Sequence, residues 1–250
     1  MGLPVIHDDN GIRWITIDRP EIRNALLVED LDHIAEGVRS AGPRVRAIIL
    51  TGAGDRAFSA GMHVDTFADA TPESARNSIT RVRDCLGAIR LSPRPTIALV
   101  NGYCLGVAFE MALACDLRIA HPEVQFGLPE VKLGIPSVVD AALLQQFVGL
   151  SKAKEIILTG DMYPLKDLGH TGIANRIVAP SELRATALEL ANQLGSYTPQ
   201  VMVAQKGLFE TWLNHGLQHG IDTSVDVFAD VFAHPETVQA IAQYRPGPKT

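Results

Sequence analysis

Val100-Asn101-Gly102-Tyr103-Cys104-Leu105-Gly106-Val107-Ala108-Phe109-Glu110-Met111-Ala112-Leu113-Ala114-Cys115 is the stretch on which the reading of the fold turns. The run Thr96 to Val100 leads into it and stops at Asn101-Gly102, as a buried strand stops at a turn. From Tyr103 to Cys115 the residues are almost wholly apolar and mostly not β-branched, which predicts a buried helix. Leu117-Arg118-Ile119-Ala120 then reads as a short returning strand.

The same alternation extends outward. Upstream, Trp14-Ile15-Thr16-Ile17 alternates like a strand and ends at Asp18-Arg19-Pro20, and Leu27, Leu31, Ile34 and Val38 follow at helical spacing. Ala47 to Leu50 is a second strand, running into the glycine loop Thr51-Gly52-Ala53-Gly54, and Glu73 to Leu91 has a helical pattern that reaches Pro93 and Pro95. Beyond Val138 the pattern is helical to the end, with breaks near Gly149, Gly160, Pro180 and Pro199. These elements predict an α/β core followed by a helical C-terminal region, with no internal repeat.

Composition narrows the function classes. The chain has 250 residues, 46% of them hydrophobic and 20% charged, and a formal net charge of -6. That is ordinary globular composition, without the basic field that would draw nucleic acid or anionic lipid. No apolar stretch is long enough to suggest a membrane span, and Met1 to Asn10 lacks a basic-then-apolar leader pattern. Cys85, Cys104 and Cys115 form no CxxC pair, which fits a reducing compartment, and the expected location is cytoplasmic.

Glu110 is the only charged residue between Tyr103 and Cys115. A carboxylate among Phe109, Met111, Ala112 and Leu113 must be paired, face a cavity or hold a proton, because burial disfavours its charged form. Glu130 lies in the turn-rich segment Phe126-Gly127-Leu128-Pro129-Glu130. A helix over Gly106 to Ala114 rises about 14 Å, and a strand returning at about 3.3 Å per residue covers a similar distance. The chain can therefore bring Glu130 back beside Glu110. Small residues at Ala57-Phe58-Ser59-Ala60-Gly61 and at Gly102 to Ala108 allow free backbone N–H groups to point into a site, where they could stabilise an enolate or tetrahedral oxygen.

With these segments in view, the chain resembles the enoyl-CoA hydratase/isomerase (crotonase) superfamily over nearly its whole length. The resemblance is carried, in order, by Arg23-Asn24-Ala25-Leu26, Ala47-Ile48-Ile49-Leu50-Thr51-Gly52, Ala57-Phe58-Ser59-Ala60-Gly61, Val100-Asn101-Gly102-Tyr103, Ala114-Cys115-Asp116, Phe126-Gly127-Leu128-Pro129-Glu130 and Leu158-Thr159-Gly160. It implies a crotonase-like ββα spiral core over 1–195, with a helical C-terminal region over 196–250 that makes homotrimers or hexamers, the latter as dimers of trimers. It implies Glu110 and Glu130 as the catalytic pair and the backbone N–H groups of Met62 and Val107 as the oxyanion hole. Arg23, Ala25 and Ala60 would hold the CoA moiety, with His63 and Asp140 as acyl-pocket candidates. The implied activity is enoyl-CoA hydration, with an acyl-CoA thioester as substrate, no separate cofactor, no metal, no nucleic acid and no membrane. Isomerisation or another enolate-forming reaction is the alternative among enzymes, and a non-catalytic acyl-CoA-binding scaffold the alternative of another class. The chain departs from the family pattern at Met62-His63, where a small residue and Asp are usual, at Gly106-Val107-Ala108, where a run of glycines is usual, and at Ser137-Val138-Val139-Asp140, where a glycine-rich stretch is usual.

Other patterns compete and are weaker. Gly52-Ala53-Gly54-Asp55-Arg56-Ala57 fits a dinucleotide fingerprint only if a helix opens there. Ser59 nearly sits in a nucleophile elbow, but the first glycine is missing. His215 and His219 have metal spacing without a clear third ligand. Arg19 and Arg56 join Arg23 as cations that could meet the phosphates of CoA.

Overall fold

The structure is a computed structural model that describes residues 2–243. Strand β1 (Val5–Asp9) turns at Asn10-Gly11 into β2 (Ile12–Ile17), and both turn residues have positive φ, as a tight hairpin requires. Helix α1 (Val28–Arg39) follows, then β3 (Ala47–Gly52), β4 (Ala57–Ser59) and α2 (Pro72–Arg90). The pattern recurs as β5 (Thr96–Val100), β6 (Tyr103–Leu105) and α3 (Val107–Ala114), and again as β7 (Leu117–Ala120), β8 (Gln125–Gly127) and α4 (Leu144–Thr159). The chain continues through β9 (Met162–Pro164), α5 (Leu165–Leu168), β10 (Arg176–Ile177), α6 (Leu183–Gly195), α7 (Pro199–Asn214), α8 (Leu217–Asp230) and α9 (Pro235–Gln243). Of the region 196–250, residues 244–250 lie outside the described residues.

Each ββα unit gives its first strand to a six-stranded sheet ordered β1-β2-β3-β5-β7-β10 and its second to a smaller sheet ordered β4-β6-β8-β9. The large sheet is parallel apart from the β1–β2 hairpin, and its central strands are buried on both faces. Ile15, Ile17, Ile48, Leu50, Ala98 and Val100 face the main core with α1, α2 and α3, whereas Ile12, Trp14, Ile49, Ile97 and Leu99 face a second core closed by Leu183, Ala187 and Leu190 of α6. The side-chain period of two divides each strand between these cores. Helix α3 is apolar all round except for Glu110, and every residue in it is buried.

Two sequence expectations are corrected. Tyr103 to Leu105 form a strand and the helix starts only at Val107, because these residues find partners in β4 and β8. The region after Val138 is not helical throughout: β9 pairs with β8 and β10 with β7. Both strands are only two or three residues long and depend on a distant partner, so local periodicity does not mark them.

The C-terminal helices α7 and α8 pack on each other and reach the core through few polar ties. Lys206 donates to Asp116 and Glu210 accepts from Arg90. Phe209, Trp212 and Phe228 remain about half exposed or more, at 53%, 46% and 68%. Among the described residues no helix is long and apolar enough to cross a membrane.

Candidate active site

Two glycines bring the two oxyanion segments together. Gly61 and Gly106 both have positive φ, at +90° and +56°, and a Cβ built on Gly61 would stand 3.6 Å from the Cα of Gly106 and 2.8 Å from the Leu105 carbonyl oxygen. Any larger residue at 61 would push the segments apart.

The direction of the next N–H in each segment follows from peptide planarity. The Gly61 carbonyl accepts from the Leu26 N–H at 2.8 Å, and the His63 N–H donates to the Leu26 carbonyl at 2.8 Å. The trans peptide then points the Met62 N–H away from Leu26, and among the described residues it meets no acceptor. The Gly106 carbonyl accepts from Phe109 and Glu110 along α3. The Val107 N–H therefore faces outward from the first turn, where a helix leaves its donors unpaired.

Both segments line a cavity of about 300 Å³, together with Ala60, Glu110, Glu130 and an apolar wall that includes Phe67, Ile79, Ile135 and Val139. Glu110 is 3% exposed and its Oε2 has no hydrogen-bond partner. Burial raises its pKa well above the usual glutamate range, reinforced by the charges of Glu130 and Asp140 and opposed by the Asp140 and Ala141 backbone amides. Glu130 lies on the 3-10 turn Pro129–Leu133, held by Ser137, whose hydroxyl donates to its Oε2 at 2.8 Å. Its Oε1 lies beside Gly106, so the chain does return Glu130 to the start of α3. The arrangement places two carboxyls and two outward N–H groups on one cavity, which suits proton transfer beside a carbonyl whose oxygen gains charge.

The remaining candidates divide. Ala60 lines the cavity, and its N–H donates to the Arg23 carbonyl at 2.9 Å, so the segments bearing Ala60, Arg23 and Ala25 run side by side. The Arg23 guanidinium lies 5.3 Å from the centroid of the Tyr103 ring. Arg19 is turned inward and paired with Asp30, which removes it from contact with phosphates. Arg56 donates to the Pro20 carbonyl at 3.1 Å and braces that loop.

His63 and Asp140 are not part of the cavity wall. The His63 ring turns back to accept from the Asp65 N–H at 3.4 Å, capping the short helix Val64–Phe67, because a side chain at that position meets the orphan donors of the first turn. Asp140 points instead to Arg90, 3.4 Å away. The weaker patterns resolve locally. Strand β4, not a helix, follows Gly52-Ala53-Gly54, and Ser59 accepts from the Gly61 N–H at 3.1 Å as a turn residue. His215 and His219 lie with ring centroids 4.7 Å apart, and no group of three metal-binding side chains is found among the described residues.

Sequence reasoning did not single out Ser137 as a site residue. A hydroxyl between Pro136 and Val138, seven residues after Glu130, was the available signal.

This combination of a ββα spiral, paired glycine turns and two carboxyls on one cavity defines a crotonase-like acyl-CoA enzyme class. Residues 7–246 match the family model for enoyl-CoA hydratase/isomerase, and the chain belongs to that family. It is 32% identical over 218 residues to a short-chain-enoyl-CoA hydratase of Clostridium acetobutylicum, covering 86% of this chain and 82% of the relative. A crotonyl-CoA hydratase of Syntrophomonas wolfei is 30% identical over 76% of this chain and 74% of its own. An enoyl-CoA hydratase structure from Geobacillus kaustophilus superposes with a TM-score of 0.91 at 28% identity, over 99% of this chain and 97% of that one.

Proposed function

We propose that this chain catalyses the reversible addition of water across the C2=C3 double bond of an enoyl-CoA thioester. The observation that carries the reading is that Glu110 and Glu130 line the same cavity as Met62 and Val107. The thioester oxygen accepts from the two N–H groups, which stand ready for the negative charge that develops there when water attacks C3. Each such donor typically contributes about 2.7–4 kcal/mol to the transition state. One carboxylate takes a proton from the attacking water as its oxygen bonds to C3, and the other carboxyl gives its proton to C2 as the enolate collapses. Proton return between the pair and solvent resets the site, and the reverse sequence is dehydration. The buried Glu110, which holds its proton unusually tightly, suits an acid that must still be protonated near neutral pH.

Arg23, Ala25 and Ala60 receive the CoA moiety, with Arg23 the cation placed nearest this segment for its phosphates. CoA enters as part of the substrate, and no other cofactor is required by this chemistry. The apolar faces of α7 and α8, with Phe209, Trp212 and Phe228 exposed, support assembly into a trimer or a pair of trimers. Three buried, unpaired cysteines support residence in the cytoplasm.

The direct test follows the ultraviolet absorbance of crotonyl-CoA, since hydration removes the conjugated enoyl-thioester chromophore. A catalytic fall to an equilibrium plateau is expected with the purified protein and not with a Glu110→Gln, Glu130→Gln double variant. Equal rates in the two would sink the assignment.

A further inference from the structure

Beside Glu110 lies a line of charged groups that the proposed chemistry does not use. Asp140 sits on the 3-10 turn Val139–Leu143, which packs against α3. Its side chain is 13% exposed, and its Oδ2 lies 3.4 Å from Arg90 Nε at the end of α2. Arg90 also donates to Glu210 of α7. Asp140 Oδ2 and Arg90 Nε are partners in this ion pair, whereas the buried Glu110 Oε2 beside it has no hydrogen-bond partner. Buried polar atoms are normally satisfied, so an unpaired carboxyl oxygen next to a largely buried ion pair points to a purpose other than stability.

The backbone points the same way. Val139 has φ +42°, a conformation that a β-branched side chain strongly resists. Strain of this kind persists only where the surroundings enforce it, and it gathers at functional sites. Here it sets the turn whose Asp140 and Ala141 backbone amides reach the Glu110 carboxyl.

We propose that Asp140 is a positioning residue for Glu110 and that Arg90 ties it to Glu210 of α7, so that the setting of the reacting carboxyl depends on how the C-terminal helices dock on the core. The proposal rests on Glu110 being a reacting carboxyl in the hydration proposed above. The charged groups concerned come from four elements: Glu130 and Asp140, on their two 3-10 turns, act on Glu110; Arg90 of α2 acts on Asp140; Glu210 of α7 acts on Arg90. An anionic Asp140 favours the protonated form of Glu110, and Arg90 moderates that effect.

The two substitutions at the centre of the line therefore act in opposite directions. Asp140→Asn removes an anion that favours the protonated form of Glu110, so Glu110 should release its proton more readily. Arg90→Met leaves Asp140 uncompensated, so Glu110 should hold its proton more tightly. Glu210→Gln should act in the direction of Asp140→Asn but more weakly, and Arg90→Lys, which keeps the charge, should stay near wild type.

The experiment is an infrared difference titration of carboxyl bands in the full-length protein without substrate, with the Glu110 band identified as the one missing in Glu110→Gln. The Glu110 midpoint is expected to fall by about half a unit or more in Asp140→Asn and to rise in Arg90→Met. In parallel, the alkaline limb of the kcat profile for crotonyl-CoA, where the acid Glu110 loses its proton, should move the same way while KM changes little. Coincident midpoints in Asp140→Asn, Arg90→Met and wild type would overturn the proposal, as would shifts of the same sign in both variants. If Asp140→Asn does not fold, Arg90→Met against Arg90→Lys carries the test. Opposite shifts in a protein that does not hydrate crotonyl-CoA would retain the linkage and reject the hydratase reading.

Discussion

Gly106 and Glu130 meet at the site: a Cβ placed on Gly106 would stand 2.7 Å from Glu130 Oε1. The first residue of the oxyanion turn and the second carboxyl therefore occupy adjoining space, which only a residue without a side chain leaves to the carboxyl. Gly106 also has φ +56°, which an L side chain resists. Gly106→Ala is accordingly expected to displace the Glu130 carboxyl and to destabilise the protein by about 1 kcal/mol or more from the backbone alone. Thermal unfolding together with crotonyl-CoA turnover checks this, with kcat expected to fall further than stability explains.

Glu110→Gln and Glu130→Gln should each lower kcat by about 10²–10⁴-fold, the usual contribution of a general acid or base. KM should change little, because the amide keeps the shape of the side chain. Steady-state kinetics across substrate concentration separates the two effects. A rise in KM at unchanged kcat would assign the glutamate to binding instead.

Glu110 also leaves a signature in stability against pH. Its pKa is raised on folding, chiefly by burial, so between the unfolded and folded values the native state binds more protons than the unfolded state. Stability then falls as pH rises through that window, which opens near the ordinary glutamate value of 4.5 and extends well above it. Glu110→Gln removes the titration. The variant should gain on wild type in melting temperature as pH rises from 5 to 8, with the smallest difference at the acid end.

Asn24 fastens the first site loop to the core. It is fully buried with φ +56°, accepts from the Arg19 N–H at 2.9 Å, and donates to the Ala53 and Ala57 carbonyls at 3.0 and 2.8 Å. Asn24→Ala strands three backbone groups, of which the two buried ones, the Arg19 N–H and the Ala57 carbonyl, each cost about 1–3 kcal/mol if left unpaired. Chemical denaturation should report the loss. Activity should drop as well, because Leu26, two residues on, fixes the peptide that aims the Met62 N–H.

Val139 both strains the backbone and fills the cavity wall. Val139→Gly should relieve the strain, offset in part by the added freedom of glycine in the unfolded chain, so stability should change by no more than about 1 kcal/mol. The emptied space should favour bulkier acyl groups. The ratio of kcat/KM for a longer or branched enoyl-CoA to that for crotonyl-CoA is expected to rise about tenfold or more.

The strands Trp14 to Ile17, Ala47 to Leu50, Thr96 to Val100 and Leu117 to Ala120 were legible because burial on both faces leaves a dense apolar run between turn residues. Glu110 was legible for the converse reason, as one charge in an otherwise apolar helix. The small sheet was harder to see, since β4, β6, β8 and β9 have three residues each and take their geometry from one another. The Val5–Asp9 strand has four of its five residues exposed and gave little hydrophobic signal, although Asn10-Gly11 marked its hairpin.

The sequence by itself determined the alternation of elements and the glycines that permit positive φ at 61 and 106, because each depends on residue type and local spacing; it marked Glu110 as a lone charge in an apolar segment, whereas Glu130 stood out through the family resemblance. Only the tertiary structure decided that His63 turns to cap a short helix, that Arg19 is spent on Asp30, that Ser137 holds Glu130, and that Asp140 faces Arg90 rather than the cavity. The physical reason is range. Backbone preference and apolar periodicity act within a few residues, whereas a charged or polar side chain takes its partner from whichever distant segment the packed core brings within about 3–4 Å.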